Sequence, residues 1–130
     1  MLARLAALLL LPVAARADLP PLGQVPEVTE GLIAAAIAYE IGERCDGIDA
    51  RRVAGISYLL QLRGVARDLG YSAEAIDAFV EDDREKDRLE AVARERLASM
   101  GARPGDAGSH CAVGRAEIAA GSVVGSLLRG

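Results

Sequence analysis

GLIAAAIAYEIGERC, residues 31–45, is the stretch that decides the fold class. Leu32, Ile33, Ala36, Ile37, Glu40 and Ile41 recur at helical spacing with Tyr39 beside them, and nothing in the run alternates with the period of two that a half-buried strand needs. Thr29 or Glu27 is placed to open this helix, and Asp46-Gly47 is a turn signal that ends it near Cys45. Working outward, Asp49 is a good N-cap for a second helix, with Ile48 as a hydrophobic staple against Val53. Val53, Ile56, Leu59, Leu60 and Val65 mark its apolar side, and Leu69-Gly70 closes it. Ser72 caps a third helix, with Glu74 near its positive end. Ile76, Phe79 and Val80 form that helix's apolar face.

Then comes EDDREKDR, residues 81–88, eight charged residues in a row. About two turns of pure charge cannot sit deep in a core. The pairs Asp82–Lys86 and Glu90–Arg94 have the favourable i,i+4 order. The expectation is one long helix whose middle protrudes into water, or two helices bent there. Apolar periodicity resumes at Leu89, Val92, Leu97 and Met100, until Gly101 and Pro104 stop it. Ser109 caps a fourth helix through Cys111, Val113 and Ile118, and Gly121 breaks it. No segment alternates and no repeat is present, so the reading is an all-α, four-helix single domain with no sheet.

Composition agrees. The only aromatics are Phe79, Tyr39, Tyr58 and Tyr71, and 52% of the chain is hydrophobic, so the core is aliphatic and Ala-rich. Lys86 is the only Lys and Asn is absent, the usage of a GC-rich bacterial genome.

The first 17 residues have the three-part layout of a secretory signal peptide. Arg4 is the positive start, Leu5 to Val13 the apolar run, and Ala15-Arg16-Ala17 the small-residue cleavage site. The run is shorter than the roughly 20 residues that span a bilayer. Cleavage is expected before Asp18, which leaves residues 18–130 as one helical domain outside the cytoplasm, periplasmic or secreted. Its start, residues 18–26, holds Pro20, Pro21, Gly23 and Pro26 and reads as an extended arm. Two of the 15 basic residues, Arg4 and Arg16, precede Asp18 and none of the 19 acids does, so the remainder carries a net charge of −6. That balance disfavours nucleic acid and anionic lipid as partners.

Cys45 and Cys111 are the two cysteines. In an oxidising compartment a pair defaults to a disulfide. A long loop closed this way contributes about 4 kcal/mol in the chain-entropy account. Free thiols or a redox couple are the alternative, and no Cys-x-x-Cys spacing supports one. The bond would clamp the first helix to the fourth, with the middle two packed against that clamp.

No catalytic, cofactor or metal set emerges. His110 is the only His, and its neighbour Cys111 does not face it on a helix. It has no ligand cluster for zinc and reads as a surface residue. The acids of 81–88 lack calcium-loop spacing and are interleaved with Arg84, Lys86 and Arg88. Glu40 and Glu43 share one helical side and read as its wet side; a buried Glu40 would need Arg44, Arg51 or Arg115. No serine sits in a Gly-x-Ser-x-Gly elbow. Gly121 and Gly125 have the spacing of a helix-dimer motif, a weak signal outside lipid. Val123, Val124, Leu127 and Leu128 form an apolar tail after the Gly121 break. Either it docks into the bundle, the default for a small domain short of apolar burial, or it covers a partner as an exposed patch extended by Val113 or Ile118.

Three segments, GLIAAAIAYEIGERC at 31–45, LGYS at 69–72 and CAVGRAEIAAGSVVGSLLR at 111–129, carry a resemblance. With the signal peptide and the two cysteines, the chain resembles the domain of unknown function 5333 family of small exported alphaproteobacterial proteins. The family has no assigned activity, so the resemblance implies no catalytic residue. It implies that Cys45 and Cys111 match the family's two cysteines. It also implies an association with genes for the proton-pumping NADH dehydrogenase, and hence an accessory or assembly role in respiration. The function expected is therefore a non-enzymatic accessory or interaction protein with an unknown protein partner. The alternatives are a periplasmic chaperone or inhibitor-like helical protein, and a hydrolase, which would need a cleft with a pKa-shifted acid.

Overall fold

The structure is a computed structural model that describes residues 18–130; the signal-peptide reading of residues 1–17 lies outside the described residues. The elements are α1 (Pro26–Arg44), β1 (Asp49–Ala50), α2 (Arg52–Asp68), α3 (Ala73–Val80), α4 (Asp83–Met100), α5 (Ala107–Ala120), α6 (Val123–Ser126) and β2 (Leu128–Arg129). The all-α reading with one disulfide holds. The helix count rises from four to six among the described residues, because the third expected helix is split and the apolar tail forms a short helix of its own.

α1 is the axis of the molecule and packs against α2, α4, α5 and α6. Pro26 occupies its first turn, where a missing N–H costs nothing, so the helix begins before both Glu27 and Thr29. Thr29 instead lies inside, its hydroxyl donating to the Val25 carbonyl at 3.1 Å. The alanines at 34–36 explain how one helix accepts neighbours on several sides: they cover little surface and let other helices approach.

The charged run 81–88 is where α3 ends and α4 begins. Asp82 is the N-cap, its carboxylate accepting from the N–H groups of Arg84 (3.0 Å) and Glu85 (3.4 Å). A carboxylate committed to that cap does not form the expected ion pair with Lys86, which lies 4.0 Å from Glu90 instead. Arg88 pairs with Glu85 at 2.7 Å and donates to the Gly23 carbonyl at 2.9 Å. The N-terminal arm is thereby held down. Leu22–Gln24 forms a 3-10 turn, Leu22 and Val25 are buried, and the Tyr71 hydroxyl donates to the Pro20 carbonyl.

The connection from α1 to α2 departs furthest from expectation. Asp49 does not cap α2. It pairs with Arg129, and Ala50 with Leu128, in a two-residue antiparallel ladder. Arg51 extends the contact, its N–H donating to the Leu127 carbonyl at 2.8 Å and its guanidinium to the Ser126 carbonyl at 2.8 Å. The expectation of no sheet thus fails by one minimal ladder, too short to leave alternation in the sequence. Ile48 is buried in the main core while Val53 is 79% exposed, so the staple does not form.

Cys45 caps the C-terminus of α1 and Cys111 lies in α5. Their Cα atoms are 5.2 Å apart and the two are joined by a disulfide. Around that bond sits the main core, with Ile37, Ile41, Ile48, Leu89, Leu97, Val113, Val124 and Leu128 among its members. Gly114 is where α5 meets α1: a Cβ there would fall 2.8 Å from an Ile41 methyl and 2.7 Å from an Ile48 methyl. A second, smaller cluster joins Leu22, Val25, Val28, Ala66, Tyr71 and Ile76 under the arm.

Candidate interaction surface

The tail singled out in the sequence is docked. Val124, Leu127 and Leu128 are buried in the main core, and only Val123 remains half exposed. Val113 is buried too and Ile118 packs partly against the same core. The four tail residues therefore do not form one exposed patch, which corrects the interaction reading of this segment. The physical reason is local. Ser122 caps α6 by accepting from the Gly125 N–H at 3.0 Å, and β2 then pairs with β1. Gly121 has φ 62° and closes α5. A Cβ on Gly125 would overlap the Glu117 carbonyl, so the spacing of these two glycines serves an internal turn.

Most of the large exposed apolar residues on the described helices lie on α2 and α3. α2 carries two apolar stripes. Tyr58, Leu62 and Ala66, four residues apart, form one; Val53, Ile56 and Leu60 form the other. The first faces inward, and α1 receives it at Gly31, where a Cβ would come within 2.5 Å of Leu62 and 2.8 Å of the Tyr58 hydroxyl. Burial there pushes the Tyr58 phenol up. The second stripe faces out: Ile56 is 61%, Leu59 45% and Leu60 63% exposed, and Val80 of α3 is 67% exposed. Between α2 and α3 these residues rim a groove of about 310 Å3 floored by Leu32, Leu62, Ala66 and Phe79. Arg63, one of the lining residues, pairs with Asp77 of α3 at 2.9 Å. From the sequence, Val53, Ile56, Leu59, Leu60 and Val65 are the apolar side of α2; Leu62 and Ala66, which are the buried ones, do not stand out. The glycine at position 31 was the signal that the other stripe is the packed one.

The remaining candidates are placed as follows. His110 is buried, with Nδ1 2.9 Å from the Asp106 carbonyl, against its reading as a surface residue. It falls in the first turns of α5, whose buried side turns toward the core. Asp106 rather than Ser109 caps that helix, accepting from the Ser109 N–H at 3.0 Å. The Arg103 side chain, hydrogen-bonded at 2.7 Å, holds the Asp106 carboxyl below its usual value. Glu40 is partly buried and takes Arg44 as its partner at 3.4 Å. Glu30 is bound by two guanidinium nitrogens of Arg96, and those hydrogen bonds lower its pKa. None of these groups lines the α2–α3 groove. A cleft of about 880 Å3 beside β1 is open and holds charges of both signs, among them Glu43, Asp49, Arg52 and Arg129. Among the described residues no three His, Cys, Asp or Glu side chains are grouped to hold a metal ion, and no helix is long and apolar enough to cross a membrane.

No curated protein and no solved structure matches the chain. Residues 20–129, from the Pro20 that Tyr71 holds to the Arg129 that pairs with Asp49, match a family of unknown function (DUF5333), and the chain belongs to that family.

Proposed function

We propose that the protein is an exported, non-enzymatic accessory protein that works by protein–protein contact through the α2–α3 face. The observation that carries this reading is the outward stripe of Val53, Ile56, Leu59 and Leu60 beside Val80. Contiguous apolar surface of this kind is costly in water and marks interaction sites. A disulfide fits a chain that works in an oxidising compartment, periplasmic or secreted. The respiratory NADH dehydrogenase, through the gene association that the family resemblance implies, is the first assembly in which to look for a role.

The test is a photo-crosslinking residue at position 60, with position 95 on α4 as control, in cells making the full chain. Adducts from position 60 alone support the reading. Equal or absent adducts refute it. Export is checked by the mass of the protein in the periplasmic fraction, which should begin at Asp18.

The same open groove favours a second reading, a chaperone that holds apolar segments of other proteins. Its expected mark is suppression of a client's aggregation at about pH 2–3, where carboxylates lose their charge, and loss of that activity in Leu60→Asp.

A further inference from the structure

We propose that the pocket lined by His110, between α1, α4 and the start of α5, binds a short carboxylate that carries a hydroxyl at its far end. This pocket shares no lining residue with the α2–α3 groove, so it stands or falls apart from the contact face.

Three helices build it. α1 contributes Glu40 and Arg44, one turn apart, and α4 contributes Arg94, Leu97 and Ala98. His110 comes from the first turn of α5, and the loop before that helix lines the pocket at Pro104 and Gly105. Arg44 precedes Cys45 and His110 precedes Cys111, so the disulfide ties the two sides together. The space is about 190 Å3. Pockets for drug-sized ligands run to roughly 300–1,000 Å3, so the occupant here is small.

His110 is the group that asks for a ligand. It is 8% exposed, and only one of its ring nitrogens has a protein partner. Nδ1 lies 2.9 Å from the Asp106 carbonyl, which can only accept. Nδ1 therefore carries the hydrogen, and Nε2 of the neutral ring is left as an acceptor. Among the described residues no sealed polar side-chain atom lacks a partner, so Nε2 keeps an opening, and the pocket that the ring lines supplies it. A polar atom this deep is satisfied only when something donates to it from that space. Water does so in the empty pocket, and a ligand hydroxyl can take its place.

The charge comes from the arginines. Arg94 is exposed, and Glu90, its expected partner, lies by Lys86 instead. No acid of the described residues pairs with Arg94. Arg44 already has Glu40 at 3.4 Å. The lining thus keeps one uncompensated positive charge, on a guanidinium whose planar fork matches a carboxylate. The Glu40 carboxylate on the same lining disfavours an anion of higher charge, such as phosphate. The exposed arginines stand at the mouth, and the buried Leu97, Ala102 and His110 form the floor. Leu97, Ala98 and Ala102 suit a short methylene chain between the two polar ends.

The experiment is NMR of the His110 ring in the untagged, disulfide-intact protein, titrated with 4-hydroxybutyrate, butyrate or inorganic phosphate. His110 is the only His, so its ring signals need no further assignment. The expected result is a saturable shift with 4-hydroxybutyrate and a dissociation constant on the order of 1 mM. Butyrate is expected to bind at least about tenfold more weakly, because it leaves Nε2 unmet. Phosphate is expected not to saturate. Arg94→Gln should weaken binding at least about tenfold. Ala98→Leu, an exposed helical position on the lining, should fill the space and abolish binding. Both variants should keep the parent's helicity and melting temperature. No saturation with 4-hydroxybutyrate by about 50 mM overturns the proposal, as does undiminished binding in Arg94→Gln or Ala98→Leu. Equal affinity for butyrate overturns the pairing of a hydroxyl with Nε2, and equal affinity for phosphate overturns the choice of a carboxylate.

Discussion

The approach to α2 and the outer face of its first turns are treated in opposite ways by the same chain. Just before the first turn of α2, Cys45 and Ile48 are sealed: each is 2% exposed, both belong to the main core, and β2 is laid along β1, while Asp46, Gly47 and Asp49 stay at the surface. One turn further on, Val53, Ile56 and Leu60 face water. Side-chain type does not separate Ile48 from Ile56, since both are isoleucine. What separates them is a cover. The tail from Val124 to Leu128 reaches back to close the first region, and no segment among the described residues closes the second. Apolar periodicity therefore marks a face that wants a partner, and only the topology decides whether the chain supplies one.

The sharpest way to break this contrast is to remove the cover. Replacing Leu127 and Leu128 with Ser deletes two buried side chains and introduces two buried hydroxyls, with an expected loss of at least about 5 kcal/mol. Domains of this size hold about 5–15 kcal/mol in all, so the thermal transition should fall steeply or vanish. A transition unmoved by the pair would return the tail to the status of a free surface.

Next is the bond that anchors the sealed end. Cys45→Ala with Cys111→Ala should cost about 2–5 kcal/mol in urea melts. Alkylation of the denatured but unreduced protein should label neither cysteine, and labelling of both would remove the clamp from the account. A matched pair of truncations then sharpens the comparison. Ile41→Ala, at a site with no exposure, is expected to cost about 2–5 kcal/mol. Leu60→Ala, measured at dilute protein, should stay within about 0.5 kcal/mol. Equal costs would mean that the α2 stripe is packed after all.

The smallest effect concerns pH. The Glu30 pKa is lowered from 4.5 by its hydrogen bonds to Arg96. A depressed carboxyl stabilises the fold above its unfolded value and loses that contribution as pH falls through the folded one. Solvent screening keeps such an exposed pair under about 1 kcal/mol. Glu30→Gln should therefore be slightly less stable than the parent at about pH 7, and the difference should shrink toward zero at about pH 3. A gap independent of pH would show that the pair contributes through packing alone.

Much of the frame could be read from the sequence, for reasons that are local. The period of GLIAAAIAYEIGERC, the Ser72 cap, the stops at Gly70 and Gly101 and the cysteine pair each act within a few residues, or depend on compartment alone. The errors arose where two local answers were equally good. Asp106 and Ser109 are both capping residues, three apart, and a helix that starts at Ala107 uses one as its cap and the other in its first turn. Asp82 could pair with Lys86 or cap α4, and two backbone N–H groups decided it. α2 has two apolar stripes, so its rotation was settled by the absence of a side chain at position 31, a fact that belongs to another helix. The ladder between β1 and β2 joins residues 80 and 78 apart in its two pairs, below any periodicity. The candidate surface was thus present in the sequence as a set of residues, without its orientation.

The reach of β2 back to β1 also dictates an order of events. A ribosome delivers α1 first, but the groove on α1 that receives Val124, Leu127 and Leu128 stays vacant until nearly the whole described chain has been made. Until then Ile41 and Ile48 are accessible, and Cys45 waits for a partner 66 residues downstream. A chain built this way completes its core only after its last segments have emerged, and it meets whatever machinery handles it in an unfinished state that presents two apolar faces instead of one.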